Sequence, residues 1–168
     1  FGHVALNGTD NIIISAVVGV LWVGRLSNYT LICDSVTSVL CQITAAITGS
    51  LGNFFATEDK HAGYALFKKV EFLNFWLYGF SFIALVTLLD PFVQIWAGER
   101  FVLGLPISIA IAINFFVAGY MNTLWVFRST IGLFKQGKFR PILVAILNII
   151  LSIFLGKLWG VFGVLFAT

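Results

Sequence analysis

Residues 101–127 read FVLGLPISIAIAINFFVAGYMNTLWVF and contain no charged side chain. As an α-helix, at about 1.5 Å per residue, this stretch would reach about 40 Å, which exceeds the ~30 Å hydrocarbon core of a bilayer. Further apolar runs precede and follow it, and a soluble domain cannot easily bury several such helices. The stretch therefore predicts that the chain crosses a membrane.

The composition supports the same class of protein. The 168 residues are 60% hydrophobic and 10% charged, whereas soluble domains carry about 25% charged residues. We predict an all-α integral membrane protein, with residues 1–168 forming a single transmembrane bundle. The chain begins at Phe1 and ends within an apolar run. We therefore expect it to be part of a longer protein, with its first and last helices truncated and without a signal peptide.

The apolar runs predict about six membrane spans, separated by short polar or glycine-containing connections. Two of these connections are predicted as tight turns, at residues 24–28 and 156–157. Asp90–Pro91 is predicted to end the third span, because the residue before a proline disfavours the helical conformation. Residues 57–69 and 92–105 are predicted to lie outside the hydrocarbon, at the interface. The predicted spans are residues 1–24, 29–56, 70–89, 105–127, 141–155 and 158–168.

The positive charges predict an orientation in the membrane. The second and fourth connections carry seven Lys or Arg residues, against three in the first, third and fifth. Cytoplasmic loops are enriched in Lys and Arg, so the first span is predicted to begin on the cytoplasmic side. The seven residues are Lys60, Lys68, Lys69, Arg128, Lys135, Lys138 and Arg140.

Polar side chains within the spans are the candidates for function. An Asp at the centre of a membrane helix costs about 2.5–3.5 kcal/mol on the insertion scale. Asp10 and Asp34 are therefore predicted to face a bundle interior or water. The second span also carries a polar stripe, comprising Asp34, Ser38, Cys41, Thr48 and Gly52. Two interpretations stay open: hydrogen bonding between helices, or the wall of a water-filled cavity.

The sequence offers no pattern for covalent chemistry. Cys33 and Cys41 lie in an apolar run and are predicted to be packing residues. His3 and His61 are far apart and have no metal-binding motif around them. We predict no enzyme activity, no catalytic residue, no metal site, no cofactor and no nucleic-acid partner.

Several segments resemble a known family when read in order. They are TDNIIIS at residues 9–15, ITGSLGN at residues 47–53 followed by EDK at residues 58–60, NFWLYGF at residues 74–80, GLF at residues 132–134, and FRPI at residues 139–142 followed by Asn148. In this order and spacing they resemble the second half of polysaccharide flippases of the Wzx type. That family belongs to a superfamily of exporters for multiple drugs, oligosaccharidyl lipids and polysaccharides, which also includes the lipid II flippase.

The resemblance implies a fold and a function. Family members carry two bundles of six helices around a central cavity, so this chain would be the C-terminal bundle, and its partners would be the N-terminal bundle of the same protein, membrane lipids and substrate. The implied function is transport of undecaprenyl-diphosphate-linked oligosaccharide from the cytoplasmic to the outer leaflet. Such flippases serve the synthesis of surface polysaccharides such as O-antigen of lipopolysaccharide, in the bacterial cytoplasmic (inner) membrane.

The candidate pathway residues are polar side chains at depth and basic side chains at the cytoplasmic mouth: Asp10, Asp34, Asn53, Asn114, Arg128, Lys135, Arg140 and Asn148. The basic residues have two explanations, either topology with anionic headgroups or contact with the substrate diphosphate. The alternative function is a cation- or proton-coupled multidrug exporter of the same superfamily. A membrane enzyme acting on lipid-linked sugars and a purely structural subunit are two further alternatives.

Overall fold

The computed structural model of the protein describes residues 12–16, 19–48, 60–130 and 140–167, and the regular elements among them are helices without any strand. Residues 12–16 form a short helical segment. The elements that follow are α1 (Val20–Thr48), α2 (Lys60–Ala97), a 3₁₀ turn (Glu99–Phe101), α3 (Leu105–Thr130), α4 (Arg140–Trp159) and α5 (Val161–Ala167). The prediction of an all-helical fold is confirmed.

Three of these helices are long and apolar enough to cross a membrane. The qualifying segments are Val20–Ala46 in α1, Gly63–Ala97 in α2 and Leu105–Arg128 in α3, and Leu143–Trp159 in α4 is a shorter apolar segment. The shortest of the three has 24 residues, or about 36 Å of helix, which exceeds the ~30 Å hydrocarbon core. Their length and composition indicate a membrane protein, whereas the number of six spans stays a prediction.

The tight turn predicted at residues 24–28 is wrong, because α1 runs through it without a break. Side chains there bond back to the preceding turn of the same helix: Ser27 Oγ donates to the Gly24 carbonyl at 2.8 Å and Asn28 Nδ2 donates to it at 3.4 Å. The break lies earlier, at Gly19, whose φ of 119° is open to glycine and strained for other residues. Arg25, which was predicted to lie in this turn, therefore lies within α1.

The predicted end of a helix at Asp90–Pro91 is also wrong, since Pro91 lies inside α2. A proline removes one backbone hydrogen bond, and apolar membrane helices tolerate this when surrounding groups satisfy the freed backbone. The helix ends at Gly98 instead, where φ is 98° and the N–H donates to the carbonyls of Val93 and Gln94. Residues 60–69 and 92–97, predicted to lie at the interface, are thus parts of α2.

The connection between α2 and α3 positions the residues described below. After the 3₁₀ turn, α3 begins at Leu105, and Pro106 occupies its first turn as predicted.

At the other end of the chain, the turn predicted at residues 156–157 is wrong because α4 continues to Trp159. The chain turns at Gly160 instead, and the short α5 packs back against α3 and α4.

The core lies where α1, α2 and α3 meet. Tyr29 of α1, Tyr78 and Val93 of α2 and Ala112 of α3 are almost completely buried there. Helices α2 and α3 approach closely at Gly119, where an added Cβ would lie 1.9 Å from the Tyr78 ring. The buried Asn74 of α2 donates to the Gly119 carbonyl at 3.1 Å. Close packing and hydrogen bonds of this kind hold helices together in lipid, where the hydrophobic effect offers little.

Candidate functional site

One face of α1 is both polar and exposed. At 3.6 residues per turn, side chains spaced by three, four or seven residues share one side of a helix. The exposed polar residues on this side, which we call the α1 polar face, are Ser27, Asp34, Ser35, Ser38 and Gln42. The exposed Leu31 lies among them. Cys41, predicted to belong to the same stripe, is half-buried and turned toward α2 and α3. Thr48 has no described side chain, and Gly52 lies outside the described residues.

The serines of the α1 polar face need no neighbouring helix to satisfy their hydroxyl groups. Ser35 Oγ donates to the Leu31 carbonyl at 2.7 Å, and Ser38 Oγ donates to the Asp34 carbonyl at 2.8 Å. The Asp34 side chain is exposed, and no other side chain in the described part of the chain pairs with its carboxylate. The face therefore presents hydroxyl oxygens and one carboxylate that remain available to an outside partner.

The exposed faces of the other long helices have the opposite character. On α2 the exposed large side chains include Phe72, Trp76, Phe80, Ile83 and Phe92, and on α4 they include Leu143, Ile146, Ile150, Ile153 and Phe154. Aliphatic and aromatic surfaces of this extent suit contact with lipid chains. Because the exposed faces of α2 and α4 are apolar, the α1 polar face is the part of the described surface least suited to lipid.

Two predicted pathway residues make hydrogen bonds between helices. Asn114 Nδ2 of α3 donates to the carbonyl of Leu165 at 2.7 Å, and Asn148 Nδ2 of α4 donates to that of Ala167 at 3.5 Å. Both carbonyls lie in the last turn of α5, where helical carbonyls have no partner within the helix. The structure thus brings Asn114 and Asn148 together around α5, and it does not place either of them on the α1 polar face.

The basic end of the molecule is partly described. Arg128 is half-buried near the end of α3, with its guanidinium over the Trp125 ring at 5.4 Å. The rings of Phe67 and Phe127 are 4.7 Å apart, so the Lys68 end of α2 lies beside the Arg128 end of α3. Arg140 is the first residue of α4 and its side chain is not described. Asp10, Asn53 and Lys135 lie outside the described residues.

The structure also shows a partly buried polar junction that the sequence analysis missed. The Tyr29 hydroxyl of α1 and the Ser108 hydroxyl of α3 both donate to Asp90 Oδ1 of α2, each at 2.6 Å. The Leu103 N–H donates to the Tyr29 hydroxyl oxygen at 3.0 Å. The sequence analysis missed Asp90 because it assumed that the helix ends at Pro91.

A second polar cluster lies deeper between the same helices. Cys41 Sγ is 3.9 Å from the Tyr78 hydroxyl oxygen and 3.8 Å from Asn122 Nδ2. Cys33 and Cys41 are both free thiols, and Cys33 is buried among apolar neighbours. The described residues hold no cluster of His, Cys, Asp and Glu that could bind a metal ion. The cluster around Cys41 therefore contributes interhelical polar contacts.

Comparison of the chain with protein-family models, with curated proteins and with solved structures gives no match. The resemblance to polysaccharide flippases therefore rests on the motifs quoted above and stays a prediction.

Proposed function

We propose that the chain is one bundle of a membrane transporter that moves undecaprenyl-diphosphate-linked oligosaccharide from the cytoplasmic to the outer leaflet. The proposal includes about six spans, a second bundle outside this chain, and location in the bacterial cytoplasmic membrane. The observation that carries it is the α1 polar face, exposed on a bundle whose other outer faces are apolar. The order of the sequence motifs supports the polysaccharide flippases as the family to which such a transporter would belong.

The chemistry of the substrate fits such a face. A sugar diphosphate cannot cross hydrocarbon unaided, because its polar groups would lose their hydrogen bonds to water. Exposed hydroxyl oxygens and the Asp34 carboxylate accept hydrogen bonds from sugar hydroxyl groups. The carboxylate repels the diphosphate, so we assign the sugar to the α1 polar face. The diphosphate is assigned to the basic end near Arg128, with Lys135 and Arg140 as further candidates.

An alternative explanation is that the α1 polar face packs against another helix. The backbone bonds of Ser35 and Ser38 mean that these hydroxyls need no partner from another helix. A helix packed against this face would also have to supply a partner for the Asp34 carboxylate, since a buried unpaired charge is costly.

Accessibility to water distinguishes these explanations. In the full-length protein with Cys33 and Cys41 replaced by alanine, we expect Ser38→Cys to react with a membrane-impermeant maleimide at least about tenfold faster than Val39→Cys. The neighbouring Val39 is the control for exposure and depth, because it is also exposed and its side chain points about 100° around α1 from that of Ser38. Equal rates for the two cysteines would show that the α1 polar face does not line a water-filled pathway.

The substrate requires a separate experiment. We expect the full-length protein to restore surface polysaccharide in a strain lacking its own flippase, and to move a fluorescent lipid-linked oligosaccharide across reconstituted vesicles. The exposed acid Asp34 also suits the alternative of an exporter for cationic compounds. Drug resistance without flipping of the lipid-linked oligosaccharide would favour that exporter and contradict the proposed substrate.

A further inference from the structure

A groove with a volume of about 300 Å³ runs along the outside of the bundle between α1 and α2. From α1 it is lined by Ile32 and Val36, which lie one turn apart and are half-buried. Its most deeply buried lining consists of Leu85 and Leu89 of α2. We call it the α1–α2 groove.

The outer wall of the α1–α2 groove is apolar and follows one face of α2. Phe80, Ala84, Leu88 and Phe92 succeed each other at four-residue spacing, and all four line the groove. The helix rises about 18 Å from Phe80 to Phe92, which is close to the depth of one leaflet of a ~30 Å hydrocarbon core. The hydroxyl of Ser81, the polar residue among the described lining, donates to the Leu77 carbonyl at 2.9 Å. The groove therefore suits a hydrocarbon chain.

The α1–α2 groove and the α1 polar face lie at the same depth in the bundle. Helices α1 and α2 are antiparallel, because the Tyr29 hydroxyl bonds to Asp90 near one end and Cys41 Sγ lies 3.9 Å from the Tyr78 hydroxyl oxygen further along. The part of α1 that carries Asp34 is therefore beside the part of α2 that lines the groove.

The two surfaces are also neighbours around α1. Successive side chains are about 100° apart around a helix, so Ser35 of the α1 polar face points about 60° away from Ile32 in the groove. An ordinary membrane lipid does not match this arrangement, because its polar head lies at the interface. An amphiphile whose head lies within the bundle matches it, since its tail must then leave the bundle at the depth of the head.

We propose that the α1–α2 groove holds the hydrocarbon tail of the lipid-linked substrate while the sugar lies against the α1 polar face. This assignment rests on the proposed function and adds a site for the part of the substrate that stays apolar. Lipid is already as apolar as the groove, so the tail gains packing contacts with the lining rather than hydrophobic free energy. The effect to measure is therefore where the tail lies.

Photolabelling locates the tail in the unaltered full-length protein, reconstituted in nanodiscs. One diazirine probe is an undecaprenyl-diphosphate oligosaccharide that carries the diazirine in its tail. The reference probe is a phosphatidylethanolamine that carries it in an acyl chain. Mass spectrometry then compares labelling of Leu88, which lines the groove, with labelling of Ile83, which does not. These two aliphatic side chains are 61% and 63% exposed, so they are a matched pair.

We expect the ratio of labelling at Leu88 to labelling at Ile83 to be at least about fivefold larger for the substrate probe than for the phospholipid probe, because many small dispersion contacts add up along the groove. Ala84→Phe should remove this difference between the probes, since the added ring fills the groove. Ile83→Phe is the matched control, because it adds a ring at the neighbouring position outside the groove and should leave the difference unchanged.

Equal ratios for the two probes would overturn the proposal and show that ordinary lipid occupies the groove. A difference that persists in Ala84→Phe would overturn it as well. If Ala84→Phe does not fold, the comparison of the two probes on the wild-type protein still decides. Equal ratios in a protein that flips the lipid-linked oligosaccharide would leave the proposed function intact, whereas preferential labelling at Leu88 without flipping would contradict the proposed function alone.

Discussion

Alanine at position 119 is expected to push α3 away from α2 and to destabilise the bundle by about 1–3 kcal/mol, the usual cost of overpacking. The added Cβ would lie 1.9 Å from Tyr78 Cε1, and the Tyr78 ring is fully buried against Phe115 at a centroid distance of 5.2 Å. A shift of α3 would also lengthen the bond from Asn74 to the Gly119 carbonyl.

Unfolding of the purified protein in mixed micelles of increasing dodecyl sulfate content measures this loss. Gly79→Ala is the matched control on the facing helix, because its Cβ would meet Phe116 at an ordinary 3.9 Å. Replacing the ring by the smaller valine side chain, with Tyr78→Val in the same protein, should recover part of the stability that Gly119→Ala loses. It should not recover all of it, because it leaves a cavity. If Gly119→Ala and Gly79→Ala unfold at the same dodecyl sulfate content, α2 and α3 do not approach closely at this position.

The second large effect is expected on transport. Asp34→Asn should lower the rate of flipping of a lipid-linked oligosaccharide at least about tenfold, because an amide loses the charge-assisted bonds that a carboxylate offers to sugar hydroxyls. It should leave the amount of inserted protein unchanged, since the described part of the chain uses the exposed Asp34 side chain for no contact. Flipping in reconstituted vesicles and the yield from membranes measure the two quantities.

Glu99→Gln provides the control for removing a negative charge. Glu99 is exposed in the 3₁₀ turn, and its described side-chain hydrogen bond is to Gln94 on the adjacent end of α2. If Asp34→Asn flips the substrate at the wild-type rate, Asp34 has no required role in transport. If less of the variant is inserted in the membrane, Asp34 has a structural role instead. The matching prediction for Asp10 stays a prediction, because that residue lies outside the described part of the chain.

The sequence predicts the class of fold well and the ends of its helices poorly. Long uncharged runs identify the helices because only helices or closed barrels satisfy the backbone in lipid. The errors at residues 24–28, 90–91 and 156–157 share one cause. Gly, Pro and polar residues break helices in water, whereas in an apolar environment the demand for backbone hydrogen bonds keeps the helix intact across them.

The sequence predicts the candidate site only through the cost of placing each polar side chain in an apolar environment. That cost singled out Asp34 as a residue unsuited to lipid. It could not show which partner a polar group has: Tyr29 and Asp90 are 61 residues apart, and Asn114 and Leu165 are 51 apart. Contacts over such separations depend on how the helices pack, which one sequence does not reveal.

We expect the two acidic residues of α2, Glu71 and Asp90, to set its depth in the bilayer. The Tyr120 hydroxyl donates to Glu71 Oε1 at 2.6 Å, as that of Tyr29 does to Asp90 at the other end. Between these acids lies an uncharged section of roughly 28 Å, close to the ~30 Å hydrocarbon thickness. In a thicker membrane one tyrosine–carboxylate pair would be drawn into hydrocarbon, and in a thinner one α2 would tilt. The thickness of the surrounding lipid thus acts on both ends of α2 at once.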